Sequence, residues 1–274
     1  LHLICARLCG FTGELRFPLA ASIEFIHTAS LLHDDVIDEA VIRRGKTSAN
    51  IAWGNAASVL VGDFLYSKSF TLLSIIGDLD IFRLMSKMTN TMSEGEVFQL
   101  MKCGDTNLTE AEYLSIVEKK TAVLISAACE SAAVLGCLPK EKIRALGQYG
   151  YKIGMAFQIT DDTLDYMARE VDFGKAIGKD LEEGKMTLPL IYTLDRCSQT
   201  ERNMIKNTIQ NKSFSSETIR KIFTLVQKSG GIDYSLNRAE KFIKESINDL
   251  EVFNDSPAKD HLRAVAEYVL SRKQ

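Results

Sequence analysis

The sequence predicts an all-α protein, a single-domain bundle of about ten or more helices, from three observations. Only four prolines occur in 274 residues, where average usage of roughly 5% would give about fourteen. Long stretches without breakers carry apolar residues at three- and four-residue spacing, as around Ile23, Ile26, His27, Ser30 and Leu31. That is the pattern of a helix with one buried face. Convincing alternation of period two, the mark of a half-buried strand, is not found.

Taken in order, the chain opens on LHLICARLCG, which reads as the middle of a helix, so residues upstream of Leu1 are expected. Breaks are predicted at Gly10 to Gly13, Ala40 to Thr47, Gly77 to Asp80, Gly104 to Thr109 and Leu138 to Glu141. Further breaks fall at Ala168 to Gly184, Cys197 to Thr200, Ser213 to Ser216 and Gly230 to Asp233. Thr109 followed three residues later by Glu112 reads as a capping box that starts a helix. The longest near-apolar run, Ala122 to Leu138, contains Glu130 and many small residues. It is short for a membrane span and is expected as a buried helix rather than a transmembrane segment. No linker, repeat or low-complexity stretch divides residues 1–274, so one domain is expected.

Composition removes whole classes of function. With a net charge of −3 the chain has no basic excess to neutralise a run of phosphates, which excludes nucleic acid as the partner. Six cysteines show neither metal-ligand spacing nor a compact disulfide framework, and no secretory signal opens the sequence. A reducing, cytoplasmic location follows as the expectation.

Two segments carry chemistry. Leu31-Leu32-His33-Asp34-Asp35-Val36-Ile37-Asp38 closes one apolar helix with three carboxylates, and Phe157-Gln158-Ile159-Thr160-Asp161-Asp162-Thr163-Leu164-Asp165 closes another. Four-residue spacing puts Asp34 and Asp38 on one helix face, and likewise Asp161 and Asp165, with Asp35 and Asp162 beside them. Such a cluster can be a solvated helix end, but like charges at this spacing cost a helix a few tenths of a kcal/mol. A helix C-terminus adds a similar penalty. Bearing that cost twice points to a cation, and all-oxygen donors without His or Cys point to Mg²⁺, which bridges to phosphates.

A basic half accompanies the acidic one. Arg43-Arg44-Gly45-Lys46-Thr47 follows the first box, and Phe173-Gly174-Lys175-Ala176-Ile177-Gly178-Lys179-Asp180 leads to Gly184-Lys185-Met186-Thr187-Leu188-Pro189 after the second. Alone, either would be a solvated basic loop. Beside two aspartate clusters, guanidinium and ammonium groups read as anion ligands.

These motifs, with Glu24 to Asp38, Gly62-Asp63-Phe64-Leu65 and Lys120-Thr121, resemble the trans-isoprenyl diphosphate synthases, and within them the bacterial long-chain, octaprenyl-type enzymes. The match spreads over most of Leu1 to Leu194. The resemblance implies the helical isoprenoid synthase fold around a deep central cavity, a homodimer, and condensation of isopentenyl diphosphate with an allylic diphosphate. It further implies that Asp34, Asp35, Asp38, Asp161, Asp162 and Asp165 hold three Mg²⁺ on the allylic diphosphate. Arg43, Lys120, Lys175 and Lys185 match positions that touch this diphosphate. Arg44 and His27 match positions at the isopentenyl site, and Thr121 and Gln158 match groups near the reacting carbons.

One departure stands out. The family's GGKxxRP segment, which grips isopentenyl diphosphate, would lie just before Leu3-Ile4-Cys5-Ala6-Arg7-Leu8 and is not in the sequence. Taken alone, His27 is a satisfied core histidine, Lys120-Thr121 a helix surface, and Glu94 and Glu96 structural.

Product length is read from Ala29 and Ser30, one turn before Asp34. Bulky residues there form a floor in short-chain members, whereas these small side chains let a prenyl tail run deeper, at about 5.4 Å per helical turn. Its expected course is past Ile26, Ile23, Phe64 and Phe70. An octaprenyl-class product for a quinone side chain is therefore expected, with a farnesyl or geranylgeranyl synthase, a non-catalytic subunit and a terpene cyclase as alternatives. Against the cyclase stand a second aspartate box, one Trp and only 8% aromatic residues.

Overall fold

The structure is a computed structural model that describes residues 1–167 and 178–271. Helices account for nearly all of it. After α1 (His2–Leu8) and α2 (Arg16–Ile37), a two-residue hairpin of β1 (Ile42–Arg43) and β2 (Lys46–Thr47) leads to α3 (Ala49–Trp53) and α4 (Asn55–Ile76). There follow α5 (Leu79–Lys102), α6 (Glu110–Val117), a π-helical turn (Glu118–Ala122), α7 (Val123–Leu135) and α8 (Lys140–Leu164). The C-terminal part holds α9 (Lys179–Glu182), α10 (Leu188–Leu194), α11 (Gln199–Gln210), α12 (Ser216–Ser229), α13 (Gly231–Asp249) and α14 (Pro257–Ser271).

Local chemistry sets these boundaries. Asp78 caps α5, its carboxylate accepting from the backbone N–H groups of Asp80 and Ile81 at 2.9 Å. Thr109 and Glu112 form the expected capping box at the start of α6, and Ser198 and Glu201 form another before α11. Gly54 at φ 88° separates α3 from α4, a break that the sequence reading did not include. In place of an irregular loop at Ala40 to Thr47 the chain makes the hairpin, with Arg43 opposite Lys46. Its turn residues Arg44 and Gly45 both have positive φ, 52° and 75°, as a type I′ turn requires.

Two apolar clusters organise the bundle. One lies among α2, α4, α5 and α7 and contains Leu19, Ile23, Ile26, Leu73, Ile81, Met85, Met88 and Leu124. The larger surrounds α8, where Leu146, Tyr149, Ile153 and Ile159 meet α6, α7, α10 and the C-terminal helices. The run expected as a buried helix is α7, whose Ala127, Ala128, Cys129, Ala132 and Ala133 are buried. Among the described residues one helix, α4, is long and apolar enough to cross a membrane, with mean hydropathy 1.4. Its inner side packs along α2, while Leu60, Phe64 and Ile75 are exposed.

Candidate active site

Both aspartate boxes sit at helix C-termini, and in each the last aspartate is the C-cap: Asp38 closes α2 and Asp165 closes α8. The negative ends of two helix dipoles thereby add to six carboxylates. Three basic residues answer them. Arg43 donates from Nε to Asp35 Oδ1 at 2.8 Å and also from Nη2, and Asp35 is buried. Lys120 stands 3.5 Å from Asp34 and 2.8 Å from Glu96. Lys185 bridges Asp38 at 2.9 Å and Glu183 at 2.7 Å.

The first box is therefore not a bare cluster of charge: each of its three carboxylates faces a basic side chain. Arg43 rests on a carboxylate of that box. Arg44 projects beyond it as an exposed hairpin-turn residue. His27 is half-buried on α2, and burial lowers its pKa, with Arg44 adding and Glu24 opposing.

The second box is wired differently. Thr121 Oγ1 donates to Gln158 Oε1 at 2.8 Å, and Gln158 Nε2 donates to Asp162 Oδ1 at 2.7 Å. Tyr113 OH donates to Asp162 Oδ2 at 2.6 Å. This chain of hydrogen bonds links the π-helical turn to α8 and fixes the buried Asp162. Asp161 is exposed. Asp165 accepts from the backbone N–H of Gly178 at 3.1 Å, while its Oδ2 is buried without a partner. Lys175 lies outside the described residues.

Local folding explains why the lysines reach the boxes. A π-helical turn widens the helix at Lys119-Lys120-Thr121, a distortion often found at functional sites. Glycines on two neighbours pinch it. A Cβ on Gly95 of α5 would lie 2.7 Å from Lys119 Cβ, and one on Gly154 of α8 only 2.5 Å from Ala122 Cα. Lys185 is held by its own segment, where the N–H of Gly104 donates to Gly184 O at 2.9 Å.

Five carboxyls here have raised pKa values, Glu96 among them through burial. Burial pushes Asp34 and Asp165 up, opposed by Lys120 and by the backbone N–H groups of Gly178, Asp180 and Lys179 respectively. Burial raises Asp162 to about 6 against the hydrogen bonds from Tyr113 and Gln158. It raises Asp180 to about 8, with Asp162 and Asp165 adding. For Lys185, burial favours the neutral amine, but ion pairs with Glu183 and Asp38 outweigh it and hold the ammonium above its ordinary range. Burial is the largest cause in each of these aspartates, and a neighbouring carboxylate adds to it: Asp38 for Asp34, Asp161 for Asp162, Glu183 for Asp165, and Asp162 and Asp165 for Asp180, a repulsion that a cation relieves.

Among the described residues no three His, Cys, Asp or Glu side chains stand close enough to enclose a metal ion by themselves. The donor set nonetheless suits Mg²⁺, which is commonly held by one or two carboxylates and completed by water and phosphate oxygens. The unpartnered Asp165 Oδ2 and the exposed Asp161 are oxygens of that kind.

Below Asp34, Ala29 is buried and Ser30 Oγ donates to His27 O at 2.8 Å, so neither presents bulk. Ile26 and Ile23 continue into the apolar cluster with Phe70 packed against it. Phe64 does not belong to this course. It is 64% exposed on the outer face of α4, because the helix turns Gly62 rather than Phe64 toward α2, close against His33.

Sequence reasoning missed four residues of the site: Glu96, Tyr113, Asp180 and Glu183. Glu96 was read as structural, and only its place after Gly95 in the run Gly95-Glu96 marks it. Asp180 and Glu183 lie within the basic segment already singled out, among its lysines.

A family model for polyprenyl synthetases matches residues 1–226. The chain belongs to the polyprenyl synthetase family. Octaprenyl diphosphate synthase of Escherichia coli is 40% identical over 270 residues, covering 98% of this chain and 83% of that enzyme. The crystal structure of a decaprenyl diphosphate synthase from Rhodobacter capsulatus superposes with TM-score 0.96 at 37% identity, over 100% of this chain and 84% of the other. A polyprenyl synthase from Caulobacter crescentus, complexed with calcium and isoprenyl diphosphate, gives TM-score 0.94 at 37% identity, over 100% and 83%. As a polyprenyl synthetase the chain is a prenyltransferase with the all-α isoprenoid synthase fold.

Proposed function

We propose that this prenyltransferase is a Mg²⁺-dependent trans-polyprenyl diphosphate synthase. It extends farnesyl or geranylgeranyl diphosphate with isopentenyl diphosphate to a long-chain, octaprenyl-class product for quinone side chains. The observation that carries the reading is the placing of two carboxylate clusters at the C-termini of α2 and α8, with Lys120 and Lys185 reaching Asp34 and Asp38 from other elements.

Asp34, Asp35, Asp38, Asp161, Asp162 and Asp165 are the groups that would hold Mg²⁺, with Arg43 fixing Asp35 and with Tyr113 and Gln158 fixing Asp162. When bound, divalent ions supply Lewis-acid neutralisation of a leaving diphosphate. Lys120, Lys185, Lys175 and Arg43 add positive charge where that diphosphate gains it, a preorganised electrostatic contribution. The allylic C–O bond breaks, the double bond of isopentenyl diphosphate attacks the resulting cation, and a proton leaves to give a trans alkene. Thr121 Oγ1 and Gln158 turn polar atoms toward each other beside the box, where they can steady that cation. His27 and Arg44, on the rim of the first box, would hold isopentenyl diphosphate. Apolar walls of α2, α4, α5 and α7 exclude water and accept the tail.

A homodimer fits the outer faces of α4 and α5, where Leu60, Phe64, Val97, Leu100 and Met101 are exposed and need cover from a second copy. Free thiols on all six cysteines agree with a reducing cytoplasm.

Metal dependence tests the reading. Turnover should vanish with EDTA and return with Mg²⁺, and Asp34→Ala or Asp161→Ala should lower it by at least about a hundredfold, several kcal/mol of transition-state stabilisation. Near-normal turnover in either variant would remove the metal assignment.

A further inference from the structure

We propose that Glu96 is a positioning residue that holds the Lys120 ammonium off Asp34, so that Asp34 remains available to a divalent cation. The proposal rests on the reading of Asp34 as a metal ligand. Its basis is a short chain of charge: Glu96 Oε2, Lys120 Nζ, Asp34 Oδ2, with separations of 2.8 and 3.5 Å. The lysine is shared unequally, and the closer partner is the glutamate. All three side chains are largely shielded, at 28%, 24% and 15% exposure, so each contact is stronger than a solvated surface pair.

The fold builds this contact from two directions. Gly95 lets α5 approach the π-helical turn so closely that a Cβ there would meet Lys119 Cβ at 2.7 Å and Lys120 N at 3.1 Å. The next residue on α5 is Glu96, which then spans the remaining gap to Lys120 Nζ. Glycine and glutamate act as one device, the first setting the backbone distance and the second taking up the charge.

The need for it follows from what an ammonium does beside a carboxylate. Without Glu96, the nearest partner of Lys120 is Asp34, and a Lys120–Asp34 pair occupies an oxygen that a metal ion would use. Metal and lysine then compete. With Glu96 present, Lys120 stays charged, stays near the diphosphate position, and leaves Asp34 to the cation. Lys185 has a comparable second partner in Glu183, at 2.7 Å against 2.9 Å to Asp38. Both lysines therefore lean on a carboxylate outside the boxes.

Mn²⁺ binding, followed by the loss of its free-ion EPR signal in the presence of inorganic diphosphate, tests this without turnover. Glu96→Gln should raise the half-saturating Mn²⁺ concentration about three- to tenfold, the scale of one partly buried ion pair. In a Lys120→Ala background the same substitution should change it less than about twofold, because the competitor is gone. Glu96→Asp, which keeps the charge with a shorter reach, should fall between wild type and Glu96→Gln and serves if Glu96→Gln folds poorly. An equal rise in the presence and absence of Lys120 would overturn the proposal, since Glu96 would then be a ligand or a scaffold. So would unchanged Mn²⁺ binding in both Glu96 variants. Asp34→Ala separates the two levels of the reading: if it leaves Mn²⁺ binding unchanged, the metal assignment fails, whereas weakened binding there with normal binding in Glu96→Gln refutes only the positioning role.

Discussion

Replacing Gly154 by alanine should damage both stability and catalysis, although the substitution adds one methyl group and favours the helix. Its Cβ would sit 2.5 Å from Ala122 Cα and 3.0 Å from Ala122 Cβ, where carbon atoms prefer about 3.5–4.0 Å. Because the obstacle is backbone, the π-helical turn has to move by about 1 Å or more. Such a shift opens the 2.8 Å hydrogen bond from Thr121 to Gln158 and carries Lys120 away from its partners. Overpacking costs about 1–3 kcal/mol, and the gain in helix propensity returns up to about 1 kcal/mol. The net loss is up to about 2 kcal/mol, or up to roughly 8 °C in Tm for a chain of this size. Displacing catalytic groups by about 1 Å adds up to a hundredfold loss in kcat.

Gly147→Ala is the matched control on the same helix, since its Cβ would meet only the end of the flexible Glu130 side chain, at 2.9 Å. It should leave turnover intact and Tm unchanged or slightly higher. Calorimetry and steady-state kinetics on the two variants decide the matter. Wild-type Tm and turnover in Gly154→Ala, or equal damage from Gly147→Ala, would refute the idea that the close approach at Gly154 sets the π-helical turn.

Two further outcomes follow from the site. Ala29→Phe places an aromatic ring at a buried position one turn before Asp34 and should shorten the product to farnesyl or geranylgeranyl length while sparing the first condensation; an unchanged product by chromatography would put the floor elsewhere. Asp180 has its folded-state pKa raised to about 8 from 3.8, so the folded protein holds more protons than the unfolded chain between these values. Metal-free stability should therefore fall by a few kcal/mol as pH rises from about 4 to 8. Asp180→Asn should flatten that slope in denaturant titrations, and an unchanged slope would show that Asp180 does not cause it.

Much of this architecture was legible because it rests on local chemistry. The ends of α2 and α8 fall at the aspartates, the α6 capping box stands where Thr109 and Glu112 placed it, and the glycine breaks after α4 and α12 are real. The basic segments beside the boxes pointed to Arg43 and Lys185, whereas Lys120, taken alone a helix surface, was marked only by the family resemblance. What stayed hidden depends on distant packing. The π-helical turn has no signature in Glu118 to Ala122, because it arises where Gly95 and Gly154 press on it from other helices. Glu96 and Lys120 meet across 24 residues of sequence. The outward turn of Phe64 follows from which side of α4 meets α2, and a helix that is apolar all round does not reveal that choice.

The most direct test of the account is the product itself. The chain, together with any residues that precede Leu1 in its gene, is incubated with Mg²⁺, farnesyl diphosphate and labelled isopentenyl diphosphate, and the dephosphorylated products are separated by chain length. The account predicts repeated, EDTA-sensitive incorporation ending in a long-chain, octaprenyl-class product. Incorporation that stops after one addition would contradict the proposed tail course past Ala29 and Ser30, and no incorporation with farnesyl or geranylgeranyl diphosphate would contradict the proposed synthase.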